Sequence, residues 1–600
     1  MHATATVSPP VAPDVVSPRP LRILLLCHSF NSLSQRLYAE LLAQGHVLSV
    51  ELDIADSVTQ EAVALFRPDL VLAPFLKRRI PATVWQAVTC LVVHPGPPGD
   101  QGPSALDWAV LHGESHWGVT VLQANGDFDA GPVWAHARFV LRAASKGSLY
   151  RREVTEAAWT AVREAVALFE AHRAPAPNTP PPSPRWRPTM RQSDRAIDWA
   201  RDPTATVLAK LRSADGQPGV LDSLWGQTCR LFDPRPAVPD DWVGLAEAAT
   251  PGQVLAVRDG ALLRRTLDGA VWFGQACLVS PSGVGQGSNP PFKQVAEQVF
   301  AAQSAQLPQR PAPLMRPAQQ WGELRYTEHG PEGARVGCLG FAFANGTMST
   351  ARCQRLLAAL RWVRTRSTQV LLLMGGGDFF SNGIDLNAIE AAAHRPGDSP
   401  ADESWRNIQA MDDVALAVLT TTDRLTVSVL RGNAGAGGVF LAICADETWS
   451  GASVVLNPHY KNMGNLYGSE YWTYSLPRRL GGAAAQALMA QRLPLLAPQA
   501  QRMGLIDHCD TGPREGLAQR CLARALALAA APDLAQRLAN KVATRERDEA
   551  QRPLADHRAQ ELARMHRNFY GFDPSYHVAR HHFVHKLPQA WTPRHLAIHR

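Results

Sequence analysis

Short apolar runs alternate with amphipathic stretches through the first part of the chain. Residues 21–27 (LRILLLC), 47–52, 69–73 (DLVLA) and 87–93 read as buried strands. Residues 34–43, closed by Gly45, and residues 61–66 read as helices between them. This alternation predicts a doubly wound α/β sheet, whose sites lie at the carboxyl ends of the strands. His94 directly follows the fourth run. Leu106, Ala109, Val110 and Gly113 then share one helix face. Residues 117–135 (WGVTVLQANGDFDAGPVWA) predict a hairpin-like element that carries Asp127 and Asp129.

The pattern changes after a Pro-rich stretch, residues 174–185 (APAPNTPPPSPR), which reads as a linker. Short strand-like pieces follow (PGQVLAV, GALLRRTLDG, AVWFGQACLV) and predict a small β-barrel. GVGQGSNPP at 283–291 reads as a loop, and residues 292–305 as a helix. Two strand–glycine–helix turns come next. QVLLLM at 369–374 runs into GGGDFFSNGIDL, and TVSVL at 426–430 runs into RGNAGAGGVFLAICAD. Glycines there let a ligand approach the backbone, and the free N–H groups of a helix's first turn face it. Two such turns form a plausible pair of donors for one oxyanion. Beyond residue 511 the chain has the period of three helices, at about 516–530, 532–546 and 556–570.

Composition adds limits. The chain has 600 residues, 46% hydrophobic and 19% charged, which are globular values. Its net charge of +7 is scattered rather than run together, so it reads as a basic face or a site for a phosphate-bearing small molecule, not for nucleic acid. The nine cysteines form no CxxC pair, and no stretch approaches a membrane helix, so a soluble cytoplasmic protein is expected. The first 19 residues, Pro- and Ala-rich, are expected to be disordered. His577, His581 and His585 fall on one helix face, yet no carboxylate or cysteine accompanies them at ligand spacing. A metal site is one reading of this spacing, and a solvated terminal helix is the one expected.

FFSNGIDL, GNAGAGGVFLAICAD and APQAQRMGLID, in this order, resemble the enoyl-CoA hydratase/isomerase (crotonase) superfamily over about residues 336–511. The resemblance implies that backbone N–H groups of Asn382 and Gly437 hold a thioester carbonyl, with Gly383 and Gly438 at the coenzyme A site. Val92-Val93-His94 and Phe128-Asp129-Ala130-Gly131, followed by Ile197-Asp198-Trp199 and LRSADGQPG, resemble the folate-dependent formyltransferases over about residues 20–285. This implies catalytic roles for His94 and Asp129 and folate contacts from Phe75, Ile80 and Asp127. Val92 stands where that family has an asparagine, which implies either a different acceptor or a repositioned donor. Formyl transfer needs a donor for the tetrahedral oxyanion and a carboxylate that orients it or takes a proton.

The crotonase-like part lacks both hydratase glutamates: Phe440 and Tyr460 stand in their places. Hydration is therefore not expected, while thioester binding is. The fusion resembles the HypX/HoxX type of hydrogenase maturation protein. The resemblance implies that formyl passes from N10-formyltetrahydrofolate to coenzyme A, and that formyl-CoA then releases carbon monoxide for a nickel–iron hydrogenase. The hydrogenase large subunit or other maturation proteins are the partners it suggests. Glu470, if buried among Tyr467, Tyr471 and Trp472, would have a raised pKa and could shuttle a proton, with Tyr460 as relay. Two other classes remain: a formyltransferase for an amine acceptor such as a nucleotide sugar or tRNA, and a scaffold without catalysis. The expected units are 20–173 and 190–290 (formyltransferase-like), a linker at 174–189, another at 291–330, the crotonase-like domain at 331–515 and a helical extension at 516–600.

Overall fold

The computed structural model describes residues 19–173, 185–246, 249–279 and 291–600. Residues 1–18 of the start expected to be disordered, the Pro-rich part of the first linker and nearly all of the 283–291 loop lie outside the described residues.

The first unit is a six-stranded sheet in the order Val47–Leu52, Arg22–Cys27, Leu70–Phe75, Cys90–His94, His116–Gln123, Val133–Val140. Its first four strands are parallel and buried almost throughout. The last two add antiparallel, as the hairpin-like reading of 117–135 expects. The helices Ser32–Ala43 and Thr155–Glu170 cover one face with Leu33, Leu37, Leu41, Ala158 and Val162. The second unit is an antiparallel sheet in the order Val254–Arg258, Ala261–Arg265, Ala270–Leu278, Gln227–Pro236, Val220–Leu224. It is an open ladder among the described residues rather than the closed barrel expected. Residues 292–305 hold two short helices, Ala296–Val299 and Ala301–Ser304, instead of one.

The third unit is a spiral of two sheets. Val370–Gly375, Leu425–Leu430 and Glu447–Gly451 lie in one sheet. Each is followed by a short strand of the other: Phe379–Ser381, Asn433–Gly435 and Val455–Asn457. The chain thus turns from one sheet to the other at every glycine loop, which stacks the loops side by side. The helices Leu517–Ala529, Leu534–Gln551 and Leu554–Tyr570 follow, close to the expected bounds. All nine cysteines are buried and unpaired. No helix among the described residues is long and apolar enough to cross a membrane.

The units are tied together by polar contacts. Asp378 of the third unit accepts from Ser148 Oγ at 2.8 Å and Arg151 Nη2 at 2.9 Å of the first. Asn457 Nδ2 donates to Gln35 Oε1 at 3.0 Å. The last residues return to the first sheet, where buried Glu51 meets His599 at 3.0 Å and Arg600 at 2.8 Å.

Candidate active site

The carboxyl end of the strand Cys90–His94 carries a buried charged cluster. His94 Nε2 lies 3.0 Å from Asp100 Oδ2, and His94 Nδ1 lies 3.5 Å from Asp129 Oδ2. Asp129 has a left-handed backbone (φ 52°), and its Oδ2 accepts the Gly102 N–H at 3.0 Å. The imidazole is therefore held between two carboxylates. Gly96 makes room for this: a Cβ there would lie 2.4 Å from His94 Nε2 and 2.5 Å from Asp100 Oδ2. Asp100 is in turn bound by buried Arg187 at 2.5 Å, which stacks over Trp117. The sequence reading missed Asp100 and Arg187. Asp100 was visible as the first carboxylate after His94. Arg187 lies in the stretch read as linker, where Arg185–Trp186 pairs with Asp100–Gln101.

His94 and Asp129 open into a cavity of about 1190 Å³. Phe75, Ile80 and Asp127 line it, as the folate reading requires, and so does Val92. Amides reach it from other segments instead: Asn31, Gln35 and Asn125. Its far wall belongs to the third unit and includes Phe379, Asn382, Ala434 and Asn457. One cavity thus spans the two halves of the chain. Gly383, Gly437, Gly438, Tyr460 and Glu470 are not part of its lining.

The two glycine loops meet closely. A Cβ on Gly383 would lie 3.3 Å from Gly437 N, and one on Gly438 would lie 2.0 Å from the Ser381 carbonyl. Gly437 starts the helix Gly437–Ile443, so its N–H has no intrahelical acceptor. Ala436 before it sits at φ 46° and ψ −125°, a rare conformation for a non-glycine residue. Asn382 corrects the expectation: its N–H donates to the Gly346 carbonyl at 2.7 Å, and its side-chain amide to the Asn345 carbonyl at 2.8 Å. That N–H is already satisfied and is not a free oxyanion donor in this structure.

Behind the second loop lies a set of buried carboxylates. Glu470 is 1% exposed and sits at φ 58°, as does Tyr471. Asp412 Oδ1 accepts the Glu470 N–H at 2.8 Å, and Glu561 Oε2 accepts the Tyr471 N–H at 2.9 Å. Two carboxylates from two distant helices thereby hold the left-handed turn. The burial of Glu470 follows the expectation, but its surroundings do not. Tyr467 and Trp472 pack on each other, while Glu470 faces Tyr460 and Asp412. Burial, and next the Asp412 charge, raise the Glu470 pKa to about 8. Burial raises Asp412 less, to about 6, because the Ser469 hydroxyl and the Glu470 N–H hold it down. Glu470 is thus raised more strongly than Asp412.

Tyr460 has one hydroxyl hydrogen and two close oxygens, the Ser469 carbonyl at 3.1 Å and Glu470 Oε2. The Tyr460 hydroxyl donates to Glu470 Oε2, which couples the two side chains. Phe440 stacks on Tyr460 with centroids 5.0 Å apart. Asp412 and Glu561 were missed because they come from helices remote in sequence.

The histidine–carboxylate site at a strand end and the spiral of glycine loops define a formyltransferase unit joined to an enoyl-CoA hydratase/isomerase-like unit. The formyl transferase family matches residues 49–165, and the enoyl-CoA hydratase/isomerase family matches residues 343–594. The chain belongs to the family of the hydrogenase maturation factor HoxX. It is 54% identical over 583 residues to that protein from Bradyrhizobium diazoefficiens, with 97% of each chain covered. The structure of HypX from Aquifex aeolicus in complex with tetrahydrofolic acid matches with a TM-score of 0.90 and 42% identity, covering 97% of this chain and 99% of that one. Methionyl-tRNA formyltransferase from Syntrophus aciditrophicus is 24% identical over 182 residues, 30% of this chain and 58% of that protein.

Proposed function

We propose that this protein takes formyl from N10-formyltetrahydrofolate, passes it to coenzyme A, and releases carbon monoxide from formyl-CoA for the active site of a nickel–iron hydrogenase. The observation that carries the reading is the single cavity running from His94 and Asp129 to Asn382 and Ala434. A carrier held along it would receive formyl at one end and present it at the other. The tetrahydrofolic acid in the Aquifex aeolicus structure supports folate as the donor.

In the first step the coenzyme A thiol attacks the formyl carbon. Asp129 takes the thiol proton and passes it to N10 of tetrahydrofolate as the C–N10 bond breaks, and His94, oriented by Asp100, stabilises the oxyanion. In the second step the thioester carbonyl lies at the Gly437 N–H. The C–S and C–H bonds break. Glu470 hands its proton to the departing thiolate and takes the formyl proton in exchange, with Tyr460 positioning the formyl group. Carbon monoxide and coenzyme A leave, and the site ends as it began. No water adds, so the hydratase glutamates are dispensable. The released carbon monoxide would serve a hydrogenase large subunit or another maturation protein.

The test is to mix purified protein, N10-formyltetrahydrofolate and coenzyme A, and to follow carbon monoxide by its haemoglobin spectrum. Coenzyme A-dependent carbon monoxide is expected. Formyl transfer to an amine without coenzyme A would overturn the reading.

A further inference from the structure

The C-terminal helix Ser575–His585 lies against Leu386–Ala391, the helix that follows the first glycine loop. The carboxylate that its histidines lack in sequence arrives in space: Glu390. His581 Nδ1 lies 2.8 Å from Glu390 Oε1, and His585 Nε2 lies 3.3 Å from the same oxygen. The three donor atoms all fall within 4.8 Å of one another. The two imidazoles are one helical turn apart, with centroids 4.0 Å apart. This i, i+4 spacing presents two nitrogens to one ion. A tetrahedral Zn²⁺ with bonds near 2.0–2.1 Å holds its donors about 3.4 Å apart, close to the 2.8 and 3.3 Å that separate the two nitrogens from Glu390 Oε1.

The surroundings support a ligand set rather than a loose ion pair. Arg580 Nε holds the second oxygen of Glu390 at 2.7 Å. His577 braces that arginine at 2.7 Å, and its Nε2 faces the Phe569 carbonyl at 2.8 Å. His577 is therefore outside the ligand set, and Glu390 is free to bind through one oriented oxygen. Phe292 closes one side, edge-on to His585 at 5.3 Å. The His581 side chain is 49% exposed, which leaves an open side for a water ligand.

We propose that Glu390, His581 and His585 bind one divalent transition-metal ion, Zn²⁺ by the character of the donors, with water in the fourth position. The ion takes the place of the direct histidine contacts to Glu390 Oε1. It ties the C-terminal helix to the helix capped by Asp385. None of the three residues lines the cavity, so the site is structural and independent of the proposed reaction.

The experiment uses the full chain, stripped with a chelator and titrated with Zn²⁺ alone by calorimetry, then with Co²⁺ by visible absorption. One equivalent is expected, with Co²⁺ bands of low-symmetry, four- or five-coordinate type. His581→Ala and Glu390→Gln should each weaken binding by roughly 100-fold or more, since loss of mere supporting groups costs 10–100-fold. His582→Ala, on the same helix but outside the set, should keep the equivalent. Zn²⁺ should raise the melting temperature of the parent protein and not of the His581→Ala/His585→Ala variant. An equivalent retained in that double variant, or no equivalent in the parent, would overturn the proposal. If the double variant does not fold, the single change at half-exposed His581 decides.

Discussion

Gly437 and Glu470 are in contact through an absent side chain: a Cβ on Gly437 would lie 2.2 Å from Glu470 Oε1. The proposed oxyanion donor and the proposed proton carrier are thus fixed by one close approach. Substitution at either reports on both.

Gly437→Ala forces the Glu470 carboxyl away from its place. Carbon monoxide output should fall by about 10²–10⁴-fold, the range of a positioned acid–base group. Formyl transfer from the folate should persist, because Gly437 is not part of the lining of the cavity into which His94 and Asp129 open. Parallel assays of folate product and carbon monoxide check this, and normal output from a folded variant removes Gly437 from the site.

Glu470 also sets a pH dependence. Its folded pKa of about 8 exceeds the ordinary 4.5. The folded chain therefore holds a proton that the unfolded chain has lost. This contribution to stability is full below pH 4.5 and is lost as pH rises towards about 8. Glu470→Gln should flatten that part of the denaturation-midpoint curve. The same variant should accumulate formyl-CoA or formate in place of carbon monoxide.

Asp412→Asn keeps an acceptor for the Glu470 N–H and removes the neighbouring charge that helps raise Glu470. The alkaline fall in carbon monoxide output should then move to lower pH. An unchanged profile would place the titrating group elsewhere.

In the first site, Asp129→Asn should lower formyl transfer by about 10²–10⁴-fold, the range of a positioned acid–base group, with tetrahydrofolate binding retained. Asp100→Asn acts through His94 and also removes the nearer charge partner of buried Arg187, leaving it Glu114 at 3.6 Å. It should lose roughly 3–5 kcal/mol of stability by denaturant titration, as removal of one partner from a buried pair does.

Some of this was legible in sequence for a physical reason. Period and glycine placement are local, so Arg22–Cys27, Val370–Gly375 and the turn into Gly437 could be read from short runs. His94 and Asp129 could be named from motifs, because each sits at a strand end or turn that its own neighbours dictate. Contacts between segments far apart carry no such local signal. Only the tertiary structure brought Asp412 and Glu561 onto Glu470 and its neighbour, Arg187 onto Asp100, and Glu390 onto His581. It also engaged the Asn382 N–H with Gly346, and joined both halves in one cavity. The chain alone settled which chemistry-bearing groups exist and which turns expose them. Packing between remote segments decided their partners, and with them which groups are charged and which hydrogen-bond donors are free.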